Sequence, residues 1–238
     1  MLAVALSLLA VCADPVAESG RFDFSPAAGE ESIPPMYQLA ARRHEFRLEA
    51  PKSPEPTHTT QALTFDSPIA SPFPENNIVH AVYYRPKGSG PFPTTIVLDI
   101  TGGDQSLSRL ISTYLARNGV GALFMQMAYY GPRRPPSTSM KLMSTNLFRT
   151  LPGIRQTVLD IRVARAWLAS RPEVDQKRIG VAGTSLGSLP CPATESPCIA
   201  EGGSRTVTFN SSNGGAVATS TSTALVATVA YGSYSQAY

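Results

Sequence analysis

Histidine, cysteine, lysine and long apolar runs are all scarce in this chain of 238 residues, and each scarcity removes a class of protein. Three cysteines, Cys12, Cys191 and Cys198, are too few for a disulfide framework. No histidine follows Cys191 and Cys198, so a zinc site lacks its further ligands there, and the two stand as free thiols or as one pair in an oxidising compartment. Lysine occurs 4 times against 16 arginines, and the formal net charge is only +3. The pairs Arg42-Arg43 and Arg133-Arg134 are too short to make a basic stripe, so no nucleic acid is expected as partner. The apolar run at residues 2–11 falls far short of the roughly 20 residues that a membrane-spanning helix needs. It matches a signal peptide cleaved after Ala13, although no Lys or Arg precedes it. A misplaced start codon and a buried N-terminal helix are the alternatives. Residues 1–13 are therefore expected to direct export, periplasmic or extracellular, and the mature chain to carry no membrane span.

What is present is a hydrophobic content of 42%, enough for a real core. Residues 14–40, rich in Pro, Ala, Ser and Glu, read as a linker or loose lead-in. Residues 44–49 alternate polar and apolar like a first strand, 51–60 read as loop, and 62–65 as another short strand. Residues 77–85 (NIVHAVYYR) are β-branched and aromatic, as a strand requires. Residues 94–100 and 120–127 are near-continuous apolar runs of strand length, the pattern of strands buried on both faces of a parallel sheet. Between them Leu107, Leu110, Ile111, Tyr114 and Leu115 recur at helical spacing, with Ser106 as the expected N-cap and Asn118-Gly119 as the stop. Ile154, Val158, Ile161, Ala164 and Leu168 mark a second helix, and 177–182 a further strand. Strand, helix, strand, helix, strand is the order of an α/β fold with a mainly parallel sheet and flanking helices.

The chemistry concentrates at two Gly-containing corners. Gly183-Thr184-Ser185-Leu186-Gly187 is a G-x-S-x-G sequence between a strand and an expected helix. A serine on such a tight turn lifts its oxygen clear of the sheet, and the flanking glycines avoid Cβ clashes. The N–H of Leu186 would then face the oxyanion formed when Ser185 attacks a carbonyl. Thr101-Gly102-Gly103-Asp104 follows the first apolar strand and opens a helix. Its glycines would let a backbone N–H come close to a bound ligand, or the segment is a Gly-rich turn with Asp104 capping the helix.

The stretch 77–188 resembles the α/β-hydrolase superfamily, in particular its secreted esterase-like and dienelactone-hydrolase-like branches. The resemblance rests on TTIVLDITGGD, FMQMAYYG, RQTVLDIRVARAWLASRPEVDQKRIG and GTSLGS. It implies an α/β-hydrolase domain over 41–188. It also implies a Ser–acid–His mechanism on a small-molecule acyl ester, without cofactor or metal. Ser185 matches the nucleophile, and Leu186 with Gly103 or Asp104 the oxyanion donors. Tyr129, Tyr130 and Arg133, beyond the C-terminal end of a strand, would lie in the substrate pocket wall; the tyrosines could equally serve to pack the loop.

Two features break that pattern. The triad should run nucleophile, acid, histidine, yet His44, His58 and His80 all precede Ser185, and only Glu195 and Glu201 supply acid after it. Pro190, Pro192 and Pro197 also exclude a regular helix just after the corner. Residues 189–238 carry three charges, Glu195, Glu201 and Arg205, against 15 serines and threonines, and read as a low-complexity, poorly ordered tail with strand conceivable near 205–210 and 224–230. The expected architecture is an incomplete α/β-hydrolase fold with that tail appended. Three functions compete: an esterase by lineage that is weak or inactive, a non-catalytic ligand- or partner-binding relative, and an exported structural or cell-surface protein. A reading frame lost near Ser188 in a GC-rich gene would account for the tail and for the excess of Arg over Lys. Resequencing should then reveal a frame change near codon 188; an intact frame through codon 238, with protein of that mass in cells, would refute it.

Overall fold

The computed structural model describes residues 17–50, 55–100, 105–136, 138–143 and 147–184, together with strand Val226–Thr228. Eight strands form one mixed sheet: β1 (Glu18–Phe24), β2 (Arg42–Leu48), β3 (His58–Asp66), β4 (Ile78–Pro86), β5 (Phe92–Leu98), β6 (Gly121–Met125), β7 (Val174–Gly183) and β8 (Val226–Thr228). Their spatial order is β1-β2-β3-β4-β6-β5-β7-β8. The parallel half is β6-β5-β7-β8, and β1 to β4 form an antiparallel meander joined to it through β4 and β6. The expected parallel sheet thus occupies one side of a mixed one.

Helix α1 (Ser106–Arg117) joins β5 to β6, and α2 (Leu147–Ala169) joins β6 to β7. The first crossover moves one way along the sheet and the second moves back across β5. Right-handed crossovers of opposite direction fall on opposite faces, and the two helices cover separate clusters. On the α2 face Trp167 is sealed against Tyr83 (ring centroids 5.4 Å apart) and Phe46 (5.9 Å). On the α1 face Val97, Ala122, Phe124 and Ala116 form a smaller cluster.

Several expectations shift. Residues 14–40 are not a loose lead-in throughout, because β1 pairs along its whole length with β2 and buries Phe22 and Phe24. Glu30 carries that segment onto α2, its carboxylate accepting from Arg162, whose Nη1 bond is 2.8 Å. Two alternating aromatics are too short a signal to read without their partner strand. Strand β3 begins at His58, inside the stretch expected to be loop. In α1, Ile111 and Leu115 pack inward, but Leu107, Leu110 and Tyr114 face outward while Ser108, Ser112 and Ala116 are buried. Small side chains let the helix approach the sheet closely, which apolar spacing alone does not reveal. Gln105, not Ser106, is the N-cap residue, while Gly119 takes the left-handed conformation at the stop. Helix α2 starts earlier than its apolar pattern and runs through Pro152. Val158, Ile161, Ala164 and Leu168 are buried as expected. Among the described residues no helix is long and apolar enough to cross a membrane.

The three histidines sit within the sheet, and desolvation holds each below its ordinary value. His44 stacks on Phe22 at 5.4 Å with its Nδ1 buried and without a hydrogen bond. The unfolded chain therefore takes up protons at a pH where the folded one refuses them. The resulting stability is full above 6.5 and is lost as pH falls from there through the lower folded value. Urea unfolding should reveal a falling midpoint on acidification below 6.5, and His44→Phe should remove part of that fall.

Candidate active site

Strands β5, β6 and β7 are parallel, so their C-terminal ends share one edge. Leu98 pairs with Gly183, so residues 99 and 184 leave the sheet side by side. An open α/β sheet places ligands at such an edge, where successive crossovers turn to opposite faces. A cavity of about 280 Å³ opens there. Asp99 from the end of β5 and Gln105 at the start of α1 form one side. Phe124, Gln126 and Met127 come from the end of β6, and Tyr130, Gly131 and Arg134 from the loop beyond it. The lining is mostly polar over an apolar floor. Asp99 is nearly buried and accepts a hydrogen bond from Ser108 Oγ at 2.8 Å. Arg134 Nε is buried and makes no hydrogen bond among the described residues.

The loop bearing Tyr130 is held by a buried polar cluster. Arg133 forms an ion pair with Asp160 of α2 at 2.8 Å, with both side chains wholly inaccessible. Its remaining donors go to the carbonyl oxygen of Asn76 (2.8 and 3.2 Å) and that of Gln126 (3.0 Å). Ser67 Oγ donates to Asp160 Oδ1 at 2.6 Å, and Asn76 Nδ2 to Gln156 Oε1 at 2.7 Å. Burial pushes the Asp160 carboxyl above its ordinary value, against the opposing pull of Arg133 and Ser67. From this cluster Asn76 Oδ1 accepts the N–H of Tyr129 (3.0 Å), and Thr157 Oγ1 that of Ala128 (3.1 Å). Tyr129 is thereby held at φ 64, a left-handed conformation rare for a bulky residue.

Tyr130 lines the cavity. Tyr129 does not: its ring turns into the core, edge-on to Phe73. Arg133 is corrected as well, since its guanidinium is sealed in the ion pair and its neighbour Arg134 reaches the cavity instead. Ser185, Leu186, Gly103 and Asp104 lie outside the described residues, although β7 ends two residues before Ser185 as the sequence requires. Asp99, Gln105 and Gln126 were missed. Two of them were signalled as lone polar residues at the C-terminal ends of apolar strand runs, LDI and FMQM.

The histidines stand away from the end of β7. Neighbouring strands are about 4.8 Å apart. His80 on β4 is three strands away, roughly 14 Å, and His44 on β2 is five. His58 begins β3 opposite Pro86, at the far end of the sheet. Among the described residues no group of three His, Cys, Asp or Glu is placed to hold a metal ion.

Sheet order, opposed crossovers and cavity at the parallel edge define an incomplete α/β-hydrolase fold. No protein-family model matches the chain, and no curated protein matches it. Solved structures of similar fold include acetyl xylan esterase 1 from Thermoanaerobacterium sp. JW/SL YS485 (21% identity, 60% of this chain and 45% of that one, TM-score 0.45). Another is the acetyl xylan esterase from Paenibacillus sp. R4 (23%, 62% and 48%, TM-score 0.47). A third is a putative acetyl xylan esterase from Bacteroides fragilis NCTC 9343 (14%, 61% and 43%, TM-score 0.49). The chain spans less than half the length of each of these three.

The ion pair supports the cavity loop from beneath. Arg133→Met should leave the Asp160 carboxylate buried without its cation and cost about 3–5 kcal/mol, read from the denaturant midpoint.

Proposed function

We propose that this chain is, by lineage, a serine hydrolase of the α/β-hydrolase type acting on small acyl esters, and that it is weak or inactive as it stands. Ser185 is the nucleophile in this reading, with Leu186 and either Gly103 or Asp104 as oxyanion donors. The observation that carries it is the register of Leu98 with Gly183. Through it the Gly-Gly-Asp corner and the G-x-S-x-G corner follow adjacent strands at one edge, beside a cavity. Tyr130 and Arg134 then contribute to the pocket wall. Export directed by residues 1–13 belongs to the same proposal.

The weakness follows from the missing base. A serine hydroxyl is a poor nucleophile near neutral pH unless a neighbouring group takes its proton. Residues 186–238 contain no histidine, and the three upstream ones belong to strands β2, β3 and β4. Without one, attack by the Ser185 hydroxyl is slow, and so is any turnover through it. A second reading, a binding relative that uses the cavity without turnover, draws on the same missing base and on the polar lining.

The test is hydrolysis of p-nitrophenyl acetate by the full chain and by Ser185→Ala. The expected result is slow turnover that Ser185→Ala abolishes, because attack by the unassisted hydroxyl still needs that oxygen. Equal rates for the two proteins would overturn the catalytic reading in favour of the binding one.

A further inference from the structure

The sheet ends on one side in β1, and among the described residues no strand lies beyond it. A free edge is a row of N–H and C=O groups that another strand can complete, and proteins usually blunt it with a proline, a bulge or a very short strand. Strand β1 has none of these. Its seven residues, ESGRFDF, contain no proline and run opposite β2 in unbroken register, from Glu18 on Leu48 to Phe24 on Arg42. Its side chains divide between the two faces. Phe22 and Phe24 turn into the core, while Arg21 and Asp23 stand on the solvent face, each more than half exposed. There they form two ion pairs of opposite sense with β2: Arg21 Nη2 with Glu45 Oε1 at 2.9 Å, and Arg43 Nε with Asp23 Oδ1 at 2.8 Å. The outermost strand thus carries a cation and an anion two residues apart, each backed by its opposite.

We propose that β1 pairs antiparallel with β1 of a second copy of this chain, about a twofold axis through Phe22, joining two sheets into one. Charge selects both the occupant and the register. A twofold axis perpendicular to the sheet keeps every side chain on its own face, so the axis passes through a residue and never between two. An axis at Arg21 pairs more residues but sets that cation against its own copy, and an axis at Asp23 sets two carboxylates together. An axis at Gly20 puts Arg21 opposite Ser19 and gives Asp23 no cation. Only the axis at Phe22 places Arg21 opposite Asp23 of the second copy, and it does so twice. Glu45, Arg21, Asp23 of the second copy and Arg43 of the second copy then form one alternating row across the junction. Opposite charges at directly opposed positions stabilise a strand pair and like charges destabilise it. Pairing lies in the plane of the sheet, so Phe22 and Phe24 keep their places in the core.

Analytical ultracentrifugation of the full chain at about 100 µM should reveal a reversible dimer, the weak association that a small interface allows. Arg21→Asp brings carboxylates together at both pairs, and Asp23→Arg brings cations together. Each variant alone should therefore dimerise at least about tenfold more weakly than the parent. Mixed in equal amounts, the two should form a heterodimer as strong as the parent dimer, because every substituted charge then meets its opposite. The ion pairs lost within each chain are exposed, so both variants should keep the parent's urea midpoint. Cross-linking reads the register without relying on charge. With Cys12, Cys191 and Cys198 changed to serine, Arg21→Cys mixed with Asp23→Cys should oxidise to a heterodimer faster than either variant oxidises alone. A parent that stays monomeric would leave the edge to some other strand and overturn the proposal. So would variants that dimerise like the parent, a mixture no stronger than its components, or Arg21→Cys that cross-links to itself faster than the mixture does.

Discussion

The site edge depends on one buried ion pair. Arg133 and Asp160 meet where the loop after β6 crosses the start of β4 and the middle of α2, wholly removed from water. Two charges brought into that environment are tolerable only with nearly every polar atom around them satisfied. The sequence supplies what is needed in Ser67, Asn76 and Gln156, and the same Asn76 and Thr157 hold Ala128 and Tyr129. The strained backbone at Tyr129 is a consequence: the chain is turned so that its ring enters the core while Tyr130 and Arg134 reach the cavity.

The sheet divides its labour. The antiparallel half, with Phe46 and Tyr83 packed on Trp167, supplies much of the core. The parallel half brings the ends of β5, β6 and β7 to one edge, and the opposed crossovers leave room for a cavity there. The histidines all belong to the antiparallel half, where desolvation lowers their pKa values. They lie on strands three to five positions from β7.

Much of the framework was legible before any coordinates. The apolar runs at 94–100 and 120–127 read as strands covered on both faces, and the spacing of Val158, Ile161, Ala164 and Leu168 as one helix face. Other parts were not legible. Strand β1 shows too few alternating residues to be recognised without β2 beside it. The face of α1 was misjudged because its contact with the sheet is made by serines and an alanine. Arg133 was assigned to the pocket wall from its place after a strand. Nothing local says that Asp160, 27 positions on, would take it into the interior.

The sequence by itself determined the class of fold, the glycine-containing motifs at 101–104 and 183–187, and that residues 186–238 hold no histidine. These depend on periodicity, glycine placement and residue identity, all local or countable properties. Tertiary structure alone decided which of two adjacent arginines faces the cavity, that the Gln105 and Gln126 amides pair there, and that the upstream histidines are committed to strands away from β7. Each of those outcomes is a contact between residues remote in the chain, fixed by strand order and by the requirement that buried polar groups find partners.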